Sequence, residues 1–434
     1  MKIRKLQLKN IGVFDDETIE FQPCPLKDKA EIHIFTGQNG SGKSTVLMAL
    51  ASAFDDFGTL DKRQSSNFFS KRFKDSDSVA NITLDLAKVL IYRSRMNNSN
   101  QFLTKTHYDK DFMTYENSLK SSNLFSYDFA VFAFSGYRQI ENEPVQANFL
   151  PKDFNPLSQS LEFIKDYRKE GEITINQLVA NNISNRALSK EDGSLEESKR
   201  YEAVVNSIEN FIKNVTGYDI KFVLKRSPNE LKLKIHGEEL DFDVMPDGLR
   251  SLISWIADLL GKVDLLKWQD DLPITDKNLI LLLDEIEVHL HPAWQRKVLP
   301  VVQKLFKNSQ IFVSTHSPFV VNSIDDAWVY KLELKNGKAK VAGVIKSEDG
   351  FSYSHVLSEV FDIEEEFGIE VQKDLAKFKD LRNKIIASKN GTEKVQKEFL
   401  ELAKSLAVQS EELQTIVQFE LRQLNKRTGK SLTI

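Results

Sequence analysis

Through the first 36 positions apolar residues alternate with polar ones (Ile3, Leu6, Leu8, then Ile11, Val13, Phe14, then Ile19, Phe21), which predicts two or three short strands. Ile32, Ile34 and Phe35 predict one more strand, and Val46, Leu47, Leu50, Ala51 and Phe54 recur at helical spacing after it. Val79 to Tyr108 reads as a hairpin pair of strands turning at Asn97-Asn98-Ser99-Asn100, and Ala130 to Phe134 as a buried strand. From Ser158 to Gly217 the period is helical, most clearly at Tyr201, Val204, Val205, Ile208, Phe211, Ile212 and Val215. Two alternating strands follow (Ile220, Phe222, Leu224, then Leu231, Leu233, Ile235). Residues 279 to 345 predict strand, helix, strand, helix and a hairpin closed at Asn336-Gly337. Past Ser352 the pattern is helical: Val371 to Ile386, a stop at Asn390-Gly391, a restart capped by Thr392, and a last helix around Leu413 to Leu424. The stripe Leu375, Phe378, Leu381, Ile385 facing Phe399, Leu402 and Leu406 predicts a helical hairpin or small bundle of roughly 80 residues. No heptad repeat is long enough for an extended coiled-coil arm.

Between the Ile32–Phe35 strand and its helix lies Gly37-Gln38-Asn39-Gly40-Ser41-Gly42-Lys43-Ser44-Thr45: a glycine, four residues, then Gly-Lys-Ser. This phosphate-loop pattern works only as a strand, a tight loop and a helix N-terminus, which is the context the flanking periodicities predict. Its glycines let backbone N–H groups converge on phosphates, and the helix start adds partial positive charge. Asn39, Gly40, Ser41, Gly42, Lys43, Ser44 and Thr45 are therefore the candidate nucleotide-binding residues. Lys43 would reach the β and γ phosphates of ATP, and the Ser44 hydroxyl would hold Mg²⁺.

Farther on, Leu279-Ile280-Leu281-Leu282-Leu283 is apolar on both faces and ends in Asp284-Glu285. Such a strand belongs inside a parallel sheet, whose ligands bind at the carboxyl ends of the strands. Asp284 is expected beside Ser44 as a Mg²⁺ residue, and Glu285 would polarise the attacking water. A second apolar strand, Ile311-Phe312-Val313-Ser314-Thr315-His316, brings a histidine to the same edge. A neutral imidazole there can hydrogen-bond the γ phosphate. Alone, an Asp-Glu strand end is also an ordinary loop entrance, and a lone histidine is also structural. Met245-Pro246-Asp247-Gly248-Leu249-Arg250-Ser251 leads into an apolar helix, so Asp247 and Gly248 either offer helix-start N–H groups to an anion or form a capping turn.

At 434 residues, 41% apolar and 28% charged, the chain is long enough for a large core and more than one lobe. No apolar run reaches a membrane span, and Met1 to Asn10 alternate Lys/Arg with Ile/Leu, so a cytoplasmic protein without membrane contact is expected. The single cysteine, Cys24, excludes an intrachain disulfide and a cysteine-rich zinc site. A net charge of -4 argues against coating nucleic acid by bulk attraction. Lys62 to Lys74 interleaves basic residues with Phe68, Phe69 and Phe73; it reads either as a nucleic-acid contact or as a solvated excursion with locally packed phenylalanines.

Phosphate loop, capped-helix glycine, acidic strand and strand-end histidine, in that order, resemble the ABC-type ATPase heads of the SMC, RecF and OLD group. The resemblance covers residues 1 to about 345. It implies an α/β fold: an ABC-type P-loop ATPase head with a mixed sheet, an antiparallel β subdomain and a helical insert at about 158–217, followed by an all-helical region at 352–434. Met245 to Leu249 would be the signature motif, with Asp247 and Gly248 as its nucleotide contacts. His289-Leu290-His291-Pro292 falls where these ATPases carry a His-x-His-Pro run, and Gln139, in competition with Arg138, would be the glutamine that senses Mg²⁺ and water. Glu285 and His316 would be the catalytic pair. The family's fold implies a head-to-tail homodimer in which one subunit's signature closes on the partner's ATP. Pro246 replaces the usual serine and Asp247 a glycine, so the resemblance implies slow hydrolysis.

Within that group the short middle region and helical tail are similar to bacterial antiphage-defence ATPases of the Septu, PARIS and retron-associated kinds. These imply an ATPase scaffold, often a higher oligomer, that controls a separate effector, commonly a nuclease or toxin. The tail lacks the acidic cluster of an OLD-type Toprim nuclease and a His-Asn-His style metal site, so chemistry on nucleic acid is expected from a partner. The alternative is a RecF-like repair ATPase that clamps DNA with Lys62 to Lys74 and the basic residues of the 220 to 235 strands.

Overall fold

In the computed structural model the described residues are 1–24, 28–54, 71–75, 77–95, 102–121, 124–136, 145–146, 149–150, 154–161, 173–227, 229–348, 350–363, 367–387, 393–429 and 431–434. The chain begins with β1 (Ile3–Ile11), β2 (Phe14–Glu20) and β3 (Glu31–Gly37), then α1 (Lys43–Ser52). It continues through β4 (Val79–Leu84), β5 (Lys88–Arg95), β6 (Phe102–Tyr108), α2 (Lys110–Leu119), the two-residue strands β7 (Lys120–Ser121) and β8 (Leu124–Phe125), and β9 (Ala130–Phe134). Helices α3 (Ile175–Glu191) and α4 (Leu195–Thr216) precede β10 (Ile220–Arg226), β11 (Asn229–Ile235) and β12 (Glu238–Leu240). Next come α5 (Asp247–Leu265), β13 (Leu279–Leu283), α6 (Pro292–Leu305), β14 (Gln310–Ser314), the one-turn α7 (Pro318–Val321), and the hairpin β15 (Trp328–Lys335) and β16 (Lys338–Lys346). Helices α8 (Tyr353–Phe361), α9 (Ile369–Ala387), α10 (Glu393–Ala407) and α11 (Glu411–Thr428) finish it. Two compact units result, Met1–Val356 and Leu357–Ile434. No described helix is long and apolar enough to cross a membrane.

The core of the first unit is a six-stranded mixed sheet in the order β16-β15-β3-β14-β13-β9, parallel except for β16. All residues of β9, β13 and β14 are buried, as two-sided burial of parallel strands requires. Register decides what meets at the carboxyl edge. Ser314 pairs with Phe35, and Leu283 with Val313. The residues that follow β3 and β13 therefore emerge level with the end of β14. Helix α5, buried nearly all round, packs so closely on α3 that a Cβ on Gly261 would lie 3.2 Å from Leu178.

A second sheet, β2-β1-β4-β5-β6, is antiparallel. Its first strand is pinned to the central sheet by buried polar groups. Glu31 Oε1 accepts from Arg4 Nη1 (2.9 Å) and Gln310 Nε2 (2.6 Å) and pairs with His33 Nε2 (2.9 Å). Gln310 also holds both backbone groups of Ile3, at 2.7 and 2.9 Å. Burial opposes the Glu31 charge, but the hydrogen bonds and charges of His33 and Arg4 overcome it and hold the carboxyl at about 2.

The region expected as one hairpin between Val79 and Tyr108 is three strands, because the chain already turns once at Asp85–Ala87; the predicted Asn97–Asn100 turn lies outside the described residues. Helix α2, capped by Asp109 accepting from the Phe112 N–H (2.8 Å), was not anticipated, since few of its side chains are buried. Strand β12 was missed because it is a charged three-residue edge strand. Asn336 and Gly337 close the last hairpin with positive φ values of 53° and 76°.

In the second unit α9, α10 and α11 share one core: Leu375, Phe378, Leu381, Ile385, Phe399, Ala403, Leu406, Leu413, Val417, Leu421 and Leu424. Phe378 and Phe399 stack at 4.6 Å. Of the stripe expected on α10, Leu402 is only partly buried and Ala403 takes the inner position. The predicted stop and restart at Asn390, Gly391 and Thr392 lie outside the described residues.

Candidate functional site: a phosphate loop at the carboxyl edge of the central sheet

The Gly37–Thr45 loop joins β3 to α1, as the sequence requires of a phosphate loop. Gly37 has a φ of 142°, and a Cβ there would fall 2.1 Å from the Leu332 carbonyl oxygen, so the loop can leave the sheet only at a glycine. Gly42 caps α1 in the left-handed conformation with no side-chain cap, which leaves the first helical N–H groups for an incoming anion. Asn39 and Gly40 are exposed at the crest, whereas Ser41 is buried and its Oγ meets no hydrogen-bond partner among the described residues. Thr45 is buried beneath Gly12, away from the crest.

Lys43 folds back over the loop, donating from Nζ to the carbonyls of Gly37 (2.9 Å) and Gln38 (3.0 Å). Burial lowers its pKa, and the charges of Glu285, Asp284 and Glu287 oppose that shift.

Asp284 emerges from β13 next to α1. Its Oδ1 accepts from Ser44 Oγ (3.2 Å) and from Ser314 Oγ. A hydroxyl and a carboxylate from separate elements are hard oxygen donors of the kind Mg²⁺ takes, so Ser44 and Asp284 fit the ion. Gln139, the third expected Mg²⁺ residue, and Arg138 lie outside the described residues. Gly136 is described and backs onto the acidic turn, since a Cβ there would come within 3.3 Å of Glu285 Oε2.

Glu285 adopts a φ of 47°, and its N–H donates to Ser314 Oγ (2.9 Å). His316 follows β14, half-buried, and its N–H donates to Glu287 Oε1 (2.6 Å). Burial and the Lys43 charge lower the His316 pKa, against Asp284, favouring neutral imidazole. Burial raises the pKa of Glu287, against the His316 N–H. Lys43, Ser44, Asp284, Glu285 and His316 therefore gather at one sheet edge. Ser314 and Glu287 belong to the same cluster, and no motif in the sequence marks either. A polar residue closing an apolar strand and a third carboxylate in Asp284-Glu285-Ile286-Glu287 were the available signals.

Asp247 and Gly248 open α5, with Pro246 at the N-cap. Asp247 is ion-paired with Arg250, and a Cβ on Gly248 would fall 2.6 Å from the His289 carbonyl oxygen. The glycine thus lets α5 lie against the His289-Leu290-His291 turn, where His291 Nδ1 caps α6 by accepting from Ala293 N–H (3.2 Å). Of the basic segment, Lys62 to Ser70 lie outside the described residues, Phe73 is buried, and Lys74 pairs with Asp15 (3.2 Å). On β10 and β11, Lys221 pairs with Glu209, Lys225 with Glu239, and Lys232 with Asp241.

Three relatives resemble part of this chain. Retron Ec83 probable ATPase of Escherichia coli is 35% identical over 140 residues, 32% of this chain and 25% of that protein. Retron Vc95 probable ATPase of Vibrio cholerae serotype O1 biovar El Tor is 23% identical over 382 residues, 74% of this chain and 72% of that protein. Septu protein PtuA of Bacillus thuringiensis is 26% identical over 140 residues, 29% of this chain and 33% of that protein. The chain thus spans about a quarter of the Ec83 relative's length and a third of PtuA's. Among solved structures, an SMC head bound to the C-winged helix domain of ScpA aligns with 80% of this chain and 98% of its own, at 15% identity and a TM-score of 0.44. The family described as "AAA domain, putative AbiEii toxin, Type IV TA system" matches residues 32–322, two thirds of the chain and all of the cluster around Lys43, Asp284 and His316, and the chain belongs to it.

Proposed function

We propose that this chain binds ATP with Mg²⁺ at the Gly37–Thr45 loop, hydrolyses it slowly, and serves as a nucleotide-gated oligomeric scaffold controlling a separate effector in antiphage defence. The observation that carries the ATP reading is the sharing of Asp284 Oδ1 by Ser44 and Ser314 beside Lys43. The retron and Septu relatives support the defence setting.

In this reading Lys43 leaves the two loop carbonyls to take the β and γ phosphates, and the helix-start N–H groups of α1 receive the rest of the phosphate chain. Ser44 and Asp284 hold Mg²⁺, which supplies charge neutralisation when bound. Glu285 accepts the proton of the attacking water, and neutral His316 donates a hydrogen bond to the terminal phosphate. Gln139 completes the metal set. Asp247 and Gly248 reach a second subunit's nucleotide, and the absence of a serine at Pro246 slows closure. The effector is a nuclease or toxin, and the protein works in the cytoplasm.

Of the five basic residues on the 220 to 235 strands that a DNA clamp would use, Lys221, Lys225 and Lys232 are paired with carboxylates while Arg226 and Lys234 are exposed, so the scaffold is favoured over the repair alternative chiefly by the retron and Septu relatives. Nucleotide binding and turnover by variants test the site. Lys43→Ala is expected to lose ATP binding, while Glu285→Gln binds ATP and turns it over at least about a hundredfold more slowly. Turnover by Glu285→Gln at the parental rate would remove Glu285 from its role. ATPase activity that rises steeply with duplex DNA at low salt would instead favour the clamp.

A further inference from the structure

Beyond the paired residues Leu283 and Val313 the strands β13 and β14 are no longer joined by backbone bonds, and side chains connect them in both directions. From β14, Ser314 Oγ donates to the Asp284 carboxylate and accepts the Glu285 N–H at 2.9 Å. From the turn after β13, Glu287 Oε1 accepts the His316 N–H at 2.6 Å. Ser314 is fully buried and Glu287 is 9% exposed. Glu285 holds a positive φ, a conformation that a non-glycine residue keeps only where its surroundings over-determine it, and the Ser314 bond does so here. Glu287 is a buried acidic side chain whose Oε2 finds no donor among the described residues, an arrangement that costs stability.

We propose that Glu287 and Ser314 are positioning residues that lock the His316 strand end to the Asp284–Glu285 turn, so that the group sensing the terminal phosphate and the group activating water shift together. This rests on the reading of the Gly37–Thr45 loop as an ATP site. A backbone N–H held by a carboxylate is a stronger, shorter contact than one held by a neutral acceptor, which suits a lever between two strand ends. Loss of Glu287 frees the His316 backbone; loss of Ser314 frees the Glu285 N–H and one side of Asp284. Neither residue touches the phosphate-loop backbone, so nucleotide capture survives both changes.

The full-length chain and its Ser314→Ala, Glu287→Ala, Glu287→Gln, His316→Ala and Glu287→Ala/His316→Ala variants are compared for kcat, KM and melting temperature. The ratio of ATP to ADP affinity is measured without metal, by displacement of a fluorescent ADP analogue. Glu287→Ala is expected to lower kcat about tenfold or more, with KM within about threefold, and to narrow the ATP-over-ADP preference as His316→Ala does. The double variant is expected to be no worse than the poorer single one, because both changes break one connection. Glu287→Gln, whose amide oxygen still accepts the His316 N–H, is expected to recover most of the loss. Losses by Glu287→Ala and His316→Ala that multiply in the double variant, or an unchanged affinity ratio in Glu287→Ala, would overturn the proposal alone. ATP binding retained by Lys43→Ala would overturn the site reading beneath it. If Glu287→Ala fails to fold, Ser314→Ala and Glu287→Gln still decide: kcat and affinity ratio unchanged in Ser314→Ala would sink the lock.

Discussion

Gly37 is a residue whose identity the surrounding backbone dictates. Its φ of 142° and the 2.1 Å that would separate a Cβ from the Leu332 carbonyl leave no accommodation without moving β15. Gly37→Ala is therefore expected to destabilise the protein by about 2 kcal/mol or more, read as a lower melting temperature; an unchanged transition would show that the loop exit is looser than drawn. The phosphate-loop residues were legible in the sequence because their meaning is local: spacing alone places Gly37, Gly42, Lys43 and Ser44 on one turn. Asp284 and His316 were legible at one remove, since each ends an apolar run and strand ends meet at one sheet edge. Ser314 and Glu287 were not. Their contacts depend on which strand lies beside which, and nothing within five residues of either encodes that β14 sits between β3 and β13.

At the scale of elements, alternation identified most strands and helical periodicity the long helices, while the early turn at Asp85–Ala87 hid one strand of the Val79 to Tyr108 region and two further elements escaped for another reason. β12 and α2 are short, polar and only partly buried, so no apolar pattern announces them. Contacts between sheets were invisible for the same reason that Ser314 was, as the Glu31–Gln310–Arg4 cluster shows by joining Glu31 to a residue 279 positions away. That cluster makes a testable contribution to stability. The Glu31 carboxyl is held at about 2, below its ordinary 4.5, so its share of the stability is fully present above pH 4.5 and is lost as pH falls toward 2. Removing the charge with Glu31→Gln is expected to lower the melting temperature at neutral pH and to flatten its fall over that window. A parallel acid dependence in parent and variant would mean that other carboxylates govern acid unfolding.

The whole molecule is two units with separate cores, the Gly37–Thr45 loop in the first and a three-helix core in the second. Separate cores allow separate roles. Deleting residues 357–434 is expected to leave ATP binding intact while reducing the number of chains per assembly, obtained from the mass by light scattering after size-exclusion chromatography divided by the mass of one chain. The same number of chains per assembly in the truncated and full-length proteins would remove the helical unit from assembly. The central claim, that nucleotide state sets assembly, is tested most directly by the solution mass of Glu285→Gln with and without ATP and Mg²⁺. The account predicts a larger, stable species with ATP, and no such change when Lys43→Ala is added to the variant. One mass under all these conditions, with ATP bound, would contradict it.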